Sequence, residues 1–349
     1  MGQILGLGTT DFPRIRAVDP QMTGPFKGSL NGPHMADALK DSKNWPAAMQ
    51  AEWGNDEGLA TGQKARDHQI EQNLKLRAEL DAFNPDFILV WSKDSRESLK
   101  NFAVPQFWIQ AHESVKAKIF QGPGARDTGE TFFGQDVDRE IDLPGHREGA
   151  LHLVRGLQAA GWDPTYSLEN LHPGGVAHTF NGVLTHLDWG KWDFKTPVVP
   201  VSIDPFGLRD RVADGCTPID ENTVFPISAQ RAFDLGRETA KILKASPWKV
   251  ALVAGVGWSH ANNSGWDKGR IHPDIAADKV RYDEMMANKF DTWNKFTRDE
   301  FEEHAQWELL IWIALAGAMT ELGAKINWGD FAGYHIFNSV WVNCAFNVV

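Results

Sequence analysis

Three short apolar runs constrain this chain more than any other feature: DFILVW at 86–91, TPVVPVSI at 196–203 and WKVALVAG at 248–255. Each is continuous rather than alternating, the mark of a strand buried on both faces. Ile4 to Gly8 adds a fourth run near the N-terminus. Between the runs the pattern changes to helical spacing. From Lys64 to Phe83, the residues Ile70, Leu74, Leu76, Leu80 and Phe83 recur near a helical period among charges, and Asn84-Pro85 ends the helix. WPAAMQAEW at 45–53 predicts a shorter helix, and another is predicted from Arg147 to about Ala160. Ser228 is a good N-cap for a helix to about Lys244, and Thr297 caps a final helical region that takes in Leu309 to Met319. Strands that alternate with long helices predict a three-layer α/β/α fold around a central mixed sheet, in one domain spanning 1–349. The two prolines in TPVVPVSI place that strand near an edge or at a strand start. The polar, Gly-rich stretch from Gln121 to Gly145 is the expected long loop.

Charge and composition exclude several functions. The net charge is −11, and no run of Lys and Arg provides the cationic face that nucleic acid or an anionic membrane needs. The longest apolar stretch, Leu309 to Met319, is too short to span a bilayer and reads as a buried helix. Cys216 and Cys344 form no CxxC pair or zinc-ligand spacing, which fits a reducing compartment. The first residues show no basic segment followed by an apolar one, so the expected location is the cytoplasm, and the Asn262-Asn263-Ser264 sequon has no glycosylation context. The 15 Trp and 20 Phe against 3 Tyr supply walls for a flat aromatic ligand, although core packing explains most single tryptophans. A homodimer is compatible with the sequence, which does not require one.

Familiar signatures nearly occur and fail. Gly6-Leu7-Gly8-Thr9-Thr10-Asp11 and Gly255-Val256-Gly257-Trp258-Ser259-His260 both lack the last glycine of a dinucleotide fingerprint. His112-Glu113-Ser114-Val115-Lys116 lacks the second histidine of a zinc-protease helix, and no P-loop or nucleophile elbow is present.

Candidate site residues lie where strands run into turns. Asp11 follows the first strand, and its carboxylate serves either chemistry or the amides of its own turn. His178 opens an apolar segment after HPGG, and imidazole suits proton transfer near neutral pH. His186, eight residues on, shares its helix, and His260 closes the GWSH turn after a strand. Lys93, Asp94, Ser95, Arg96 and Glu97 follow DFILVW and present charge for a carboxylate or phenolate, with Trp258 as an aromatic wall. His68 reads as a solvated helix face, and Tyr334 and His335 as residues near the pocket.

Four ordered segments resemble the catalytic subunits of the class III extradiol ring-cleavage dioxygenases, relatives of protocatechuate 4,5-dioxygenase. They are ILGLGTTDFP; NPDFILVWSKDSRESL; AHTFNGVLTHLDW with TPVVPVSIDPFG; and VALVAGVGWSHANN with HPDIAADK, ELLIWIALAGAMTELG and YHIFNS. The resemblance implies an enzyme of aromatic-compound catabolism that opens a phenolic ring or cleaves a neighbouring C–C bond. It also implies ferrous iron on two His and one carboxylate. The first family ligand falls at Asp11, the second at or beside Ser95 with Asp94 next to it, and the third near Ala276, flanked by Asp274 and Asp278. The family's acid/base histidine falls at His178. With both ligand histidines replaced, the expectation is no iron and a shift to acid/base chemistry on Asp11, His178 and His260. Two other outcomes stay open: a rebuilt Asp/His site for a harder ion such as Mg²⁺ or Mn²⁺, and a non-catalytic relative that binds an aromatic ligand.

Overall fold

The computed structural model describes residues 1–32, 35–207, 222–261 and 270–349, together with the backbone of 211–212 and 215–216. The Asn262-Asn263-Ser264 sequon and the Cys216 side chain lie outside the described residues. The runs read as strands are strands: β1 (Gln3–Thr9), β2 (Phe87–Ser92), β5 (Val198–Ile203) and β6 (Lys249–Gly255). With β3 (Phe107–Gln110), β4 (Thr165–Ser167), β7 (Ile326–Ala332) and β8 (Trp341–Phe346) they form one eight-stranded sheet in the order β7-β8-β1-β6-β2-β5-β3-β4. The central strands β1, β6, β2 and β5 are mutually parallel. β8 runs antiparallel to β1 and β7, and β3 runs antiparallel to β5, so the sheet is mixed.

Side-chain alternation builds a separate core on each face. Phe87, Leu89 and Trp91 of β2, with Val250, Leu252 and Ala254 of β6, pack under α2 (Arg147–Ala159), α4 (Ala229–Lys244) and α6 (Leu309–Leu322). Ile88 and Val90, with Ala251 and Val253, point the other way, onto α1 (Leu59–Phe83) and α3 (His178–Leu187). Each fully buried aliphatic or Phe side chain contributes about 1.5–3 kcal/mol, so these two layers supply the main driving force. Residues Leu309 to Met319 of α6 are all buried, which explains why that segment is apolar around its whole circumference. No helix among the described residues is long and apolar enough to cross a membrane.

The near-fingerprint glycines have a packing explanation. A Cβ on Gly6 would lie 2.3 Å from Met319 Sδ, and one on Gly8 would lie 2.3 Å from the Trp312 ring. Glycine in β1 therefore lets α6 press directly on the sheet, and no nucleotide is needed to account for it.

Three local expectations change. TPVVPVSI is not an edge: β5 lies between β2 and β3. Pro200 is tolerated because its antiparallel pairing with β3 covers only Val201 to Ile203, so no rung of that ladder needs its missing N–H. The Gln121–Gly145 loop contains a short helix at Ala125–Thr128 and a strand at Ile141–Pro144 that pairs with Ser114–Ala117. Thr297 caps only Arg298–Glu303, in a capping box with Glu300; Ala305 at φ 53° then breaks the path before α6 begins.

Candidate active site

Four parallel strands end on one edge of the sheet, and the residues that follow them carry several of the charged and titratable side chains of the candidate site. β1 delivers Asp11, β2 delivers Lys93, β5 delivers Asp204 and β6 runs into the turn that holds His260. Sites gather at this edge in α/β sheets because the strands stop there while the loops diverge. Ser92 Oγ donates to Gly255 O at 2.7 Å and fixes the tips of β2 and β6 together. α3 packs across the end of β1 because residue 182 is glycine: a Cβ there would lie 2.8 Å from Asp11 O.

At the centre is a buried ionic cluster. Lys93 Nζ bonds to Glu308, and both side chains are almost fully buried. Such a pair is held in place because removing either partner strands the other charge away from water. Thr179 Oγ1, on α3, donates to Lys93 O and ties that helix to the tip of β2. Asp11 is buried beside them. Burial raises its pKa above the ordinary carboxylate value; Lys93 opposes the rise, Glu308 adds to it and His178 opposes it.

A second carboxylate behaves oppositely. Glu97 binds His178 twice, at the backbone N–H (2.9 Å) and through Nδ1, and meets His172 Nε2 at 3.2 Å. Although burial pushes its pKa up, the bonds from His172 and His178 prevail and hold it well below the usual range. Glu97 thus caps the N-terminus of α3 and orients the His178 ring.

Around Asp11 lies a group of buried polar atoms without hydrogen-bond partners among the described residues: Thr10 Oγ1, Arg16 Nη2, Asn181 Oδ1 and His186 Nε2. His186 Nδ1 lies 2.9 Å from Thr10 O, which can only accept, so Nδ1 carries the proton and Nε2 is a bare acceptor. Burial and then Arg16 push the His186 pKa down to about 3, and the ring is neutral. Arg16 Nη1 donates to Ile119 O at 2.7 Å, and burial lowers the guanidinium to about 10 against the pull of Asp11. Native interiors leave few such atoms unpaired, so this group beside a raised and a lowered carboxylate is the candidate place for a polar ligand.

A cleft of about 290 Å³ opens on the same edge, lined by Lys93, Asp94, Ser95, Arg96, Trp108, Asp204 and Phe206 among others. Its wall is a strained loop: Ser95 and Arg96 are consecutive non-glycine residues at φ 50° and 57°. Lys93 Nζ lies 6.0 Å from the Phe206 ring centroid, so this lysine belongs to both the cleft and the ionic cluster. Burial raises Asp204 to about 6 despite amide bonds from Phe206 and Gly207.

The sequence candidates divide accordingly. Asp11 and His178 are brought into electrostatic contact, and Lys93, Asp94, Ser95 and Arg96 line the cleft. None of Asp11, His178 and His260 is among the residues that line this cleft; Asp11 lies against α3 and within electrostatic reach of Lys93, which does line it. Asp94 is turned into its own loop, accepting from Ser98 N and Oγ. His260 donates its backbone N–H to Ala305 O and pairs with Ser339, which ties the turn after β6 to the segment before α6 that carries Glu308. Trp258 has no exposed surface; it packs edge-on to Trp293 and Trp312 in the core and does not wall the cleft. His68 pairs with Asp330 at 2.9 Å, His335 with Glu52 at 2.7 Å, and Tyr334 packs on Phe337 and Trp341. Sequence reading missed Glu308, Arg16, His172 and Asp204. Glu308 left a signal, a lone carboxylate at the head of a wholly apolar helix.

The family's iron triad does not fit the residues present. Asp11 sits among Arg16 and Lys93, whose charge repels a divalent ion, and Ser95 brings a hydroxyl where an imidazole is needed. Ala276 is exposed on α5 (Ile275–Met286). Its neighbours are engaged elsewhere: Asp274 caps α5 and pairs with Arg270 and His304, and Asp278 is fully buried against Ser259 and Gln306. Among the described residues, no group of three or more His, Cys, Asp or Glu side chains is arranged to hold a metal ion. No protein-family model matches the chain, and no curated protein does.

Proposed function

We propose that this protein is an enzyme that cleaves a carbon–carbon bond in or beside a phenolic ring by acid/base chemistry. The observation that carries the reading is the paired placement of His178, oriented by Glu97, and Asp11, whose buried carboxyl holds its proton more tightly than usual. An imidazole fixed by a carboxylate, beside a carboxyl that keeps its proton, offers the two partners that acid/base chemistry uses.

With Nδ1 engaged by Glu97, His178 Nε2 is the atom that exchanges protons. It takes the proton of a phenol or alcohol, and the electron pair released drives scission of the adjacent C–C bond. Asp11 returns a proton to the leaving carbon. This retro-aldol or decarboxylative sequence balances without an oxidant. The aromatic class of substrate is supported by Trp108 and Phe206 in the cleft, and its anionic substituent by Lys93 and Arg96. The cations near Asp11 set this chemistry ahead of a rebuilt Asp/His metal site.

Steady-state kinetics on His178→Ala test the proposal against a panel of hydroxylated aromatic acids and ketones. A general acid/base contributes about 10²–10⁴-fold, so turnover falls by that order while affinity and melting temperature stay close to the parent. Near-normal turnover in a folded variant would remove His178 from the chemistry. Binding without turnover by the parent protein would favour the ligand-binding alternative.

A further inference from the structure

Lys93 joins the cleft to the buried carboxylates, and its surroundings suit more than charge pairing. The side chain is almost fully buried, with Nζ bonded to Glu308. Asp11 lies within electrostatic reach, as a further carboxyl beside the amine. Phe206 stands over it on the cleft side, and Asp204, two residues away in the same wall, is buried and resists ionisation. A buried amine bonded to a carboxylate that can take its proton, with a second carboxyl in the lining of the same cleft, has the parts needed for covalent catalysis on a carbonyl.

We propose that Lys93 forms an imine with the carbonyl group of an aldehyde, ketone or oxo-acid substrate held in this cleft. This deepens the carbon–carbon-cleavage reading and rests on it. Glu308 accepts a proton from Nζ, and the freed amine adds to the carbonyl carbon. The carbonyl π pair moves to oxygen, which takes a proton from Asp204. The added nitrogen then gives up a proton, which passes to the hydroxyl; the hydroxyl leaves as water, and the freed nitrogen lone pair closes the C=N⁺ bond. The electron pair of the neighbouring C–C bond then flows into the iminium to give an enamine. A base removes the hydroxyl proton of the departing fragment, which leaves as a carbonyl compound. Protonation of the enamine carbon and addition of water release the second product and regenerate Lys93. The sequence consumes only water that it first released, and it needs no oxidant. The iminium supplies the electron sink that a phenolic ring alone lacks when the scissile bond is outside the ring.

Borohydride trapping tests this on the full chain. The protein is incubated with glyoxylate, and separately with 4-hydroxybenzaldehyde, then reduced with sodium cyanoborohydride and mapped by peptide mass spectrometry. The expected result is a secondary-amine adduct concentrated on the peptide that carries Lys93, far above exposed lysines such as Lys43 and Lys116. Adducts spread over exposed lysines, with none on Lys93, would overturn the proposal. Lys93→Arg keeps a cation for Glu308 and cannot form an imine, so it should fold, lose the adduct and lose turnover. Should it fail to fold, the parent peptide map still decides. If Lys93→Arg keeps turnover while His178→Ala loses it, the imine is wrong and the acid/base reading stands. If Lys93 is trapped but His178→Ala turns over normally, the imine stands and the role of His178 falls.

Discussion

Two buried carboxylates, Asp11 after β1 and Asp278 on α5, share a raised pKa and differ in everything else. Asp278 accepts from Ser259 N at 3.0 Å, Ser259 Oγ at 2.6 Å and Gln306 Nε2 at 2.6 Å. Its partners are neutral, and burial lifts it to about 7. It is a clamp that joins the turn after β6 to α5 and to the segment before α6. Asp11 instead faces Lys93, Arg16, Glu308 and His178, with orphaned polar atoms on Thr10, Asn181 and His186 nearby. A perturbed pKa therefore does not by itself identify a site. What separates the two is hydrogen-bonding capacity: complete around Asp278, incomplete around Asp11.

The largest effect that could break this contrast is on the charged side. Lys93→Met leaves Glu308 buried without its cation, and uncompensated burial of that kind costs about 3–5 kcal/mol. Urea unfolding should show it. A loss below about 1 kcal/mol would mean that the pair is hydrated.

The next effect sharpens the neutral side. Asp278 is raised from 3.8 to about 7 on folding, so the folded state favours its protonated form. Its contribution is complete below the unfolded value and is lost as pH rises through about 7. Between about pH 5 and pH 8 this predicts a loss on the order of 1–3 kcal/mol, seen as a falling urea midpoint. Asp278→Asn should flatten that slope, and turnover per folded molecule should not change. A slope that survives the substitution would assign the pH dependence to another group.

The smallest effect concerns the hydroxyl of the clamp. Ser259→Ala removes its bond to Asp278 and the bond it accepts from Asp274 N, and leaves Ser259 N and Gln306 in place. About 1–2 kcal/mol of stability should be lost, read from the melting temperature, with no change in activity. A large loss of activity would make the clamp part of the site and erase the contrast.

Local sequence determined the layers. Continuous apolar strands such as DFILVW can be satisfied only with helices on both faces, and the helical spacing of Leu76, Leu80 and Phe83 supplied one of them, although Leu74 of the same pattern is exposed. The cap at Ser228 was legible because a hydroxyl there satisfies a specific amide, Arg231 N at 3.2 Å. Tertiary structure decided strand order, and with it the central place of Pro200, because pairing partners distant in sequence leave no local trace. It also decided that Trp258 is core, since a tryptophan beside a turn looks the same whether it faces Trp312 or a ligand. The site itself was half legible: Asp11, Lys93, Glu97 and His178 could be picked out as polar residues where strands and loops turn. Their partners could not, because Glu308 lies 215 residues from Lys93 and Glu97 lies 81 from His178. Only the fold brings those charges within contact: burial raises Asp11, while the bonds from His172 and His178 hold Glu97 low against its own burial.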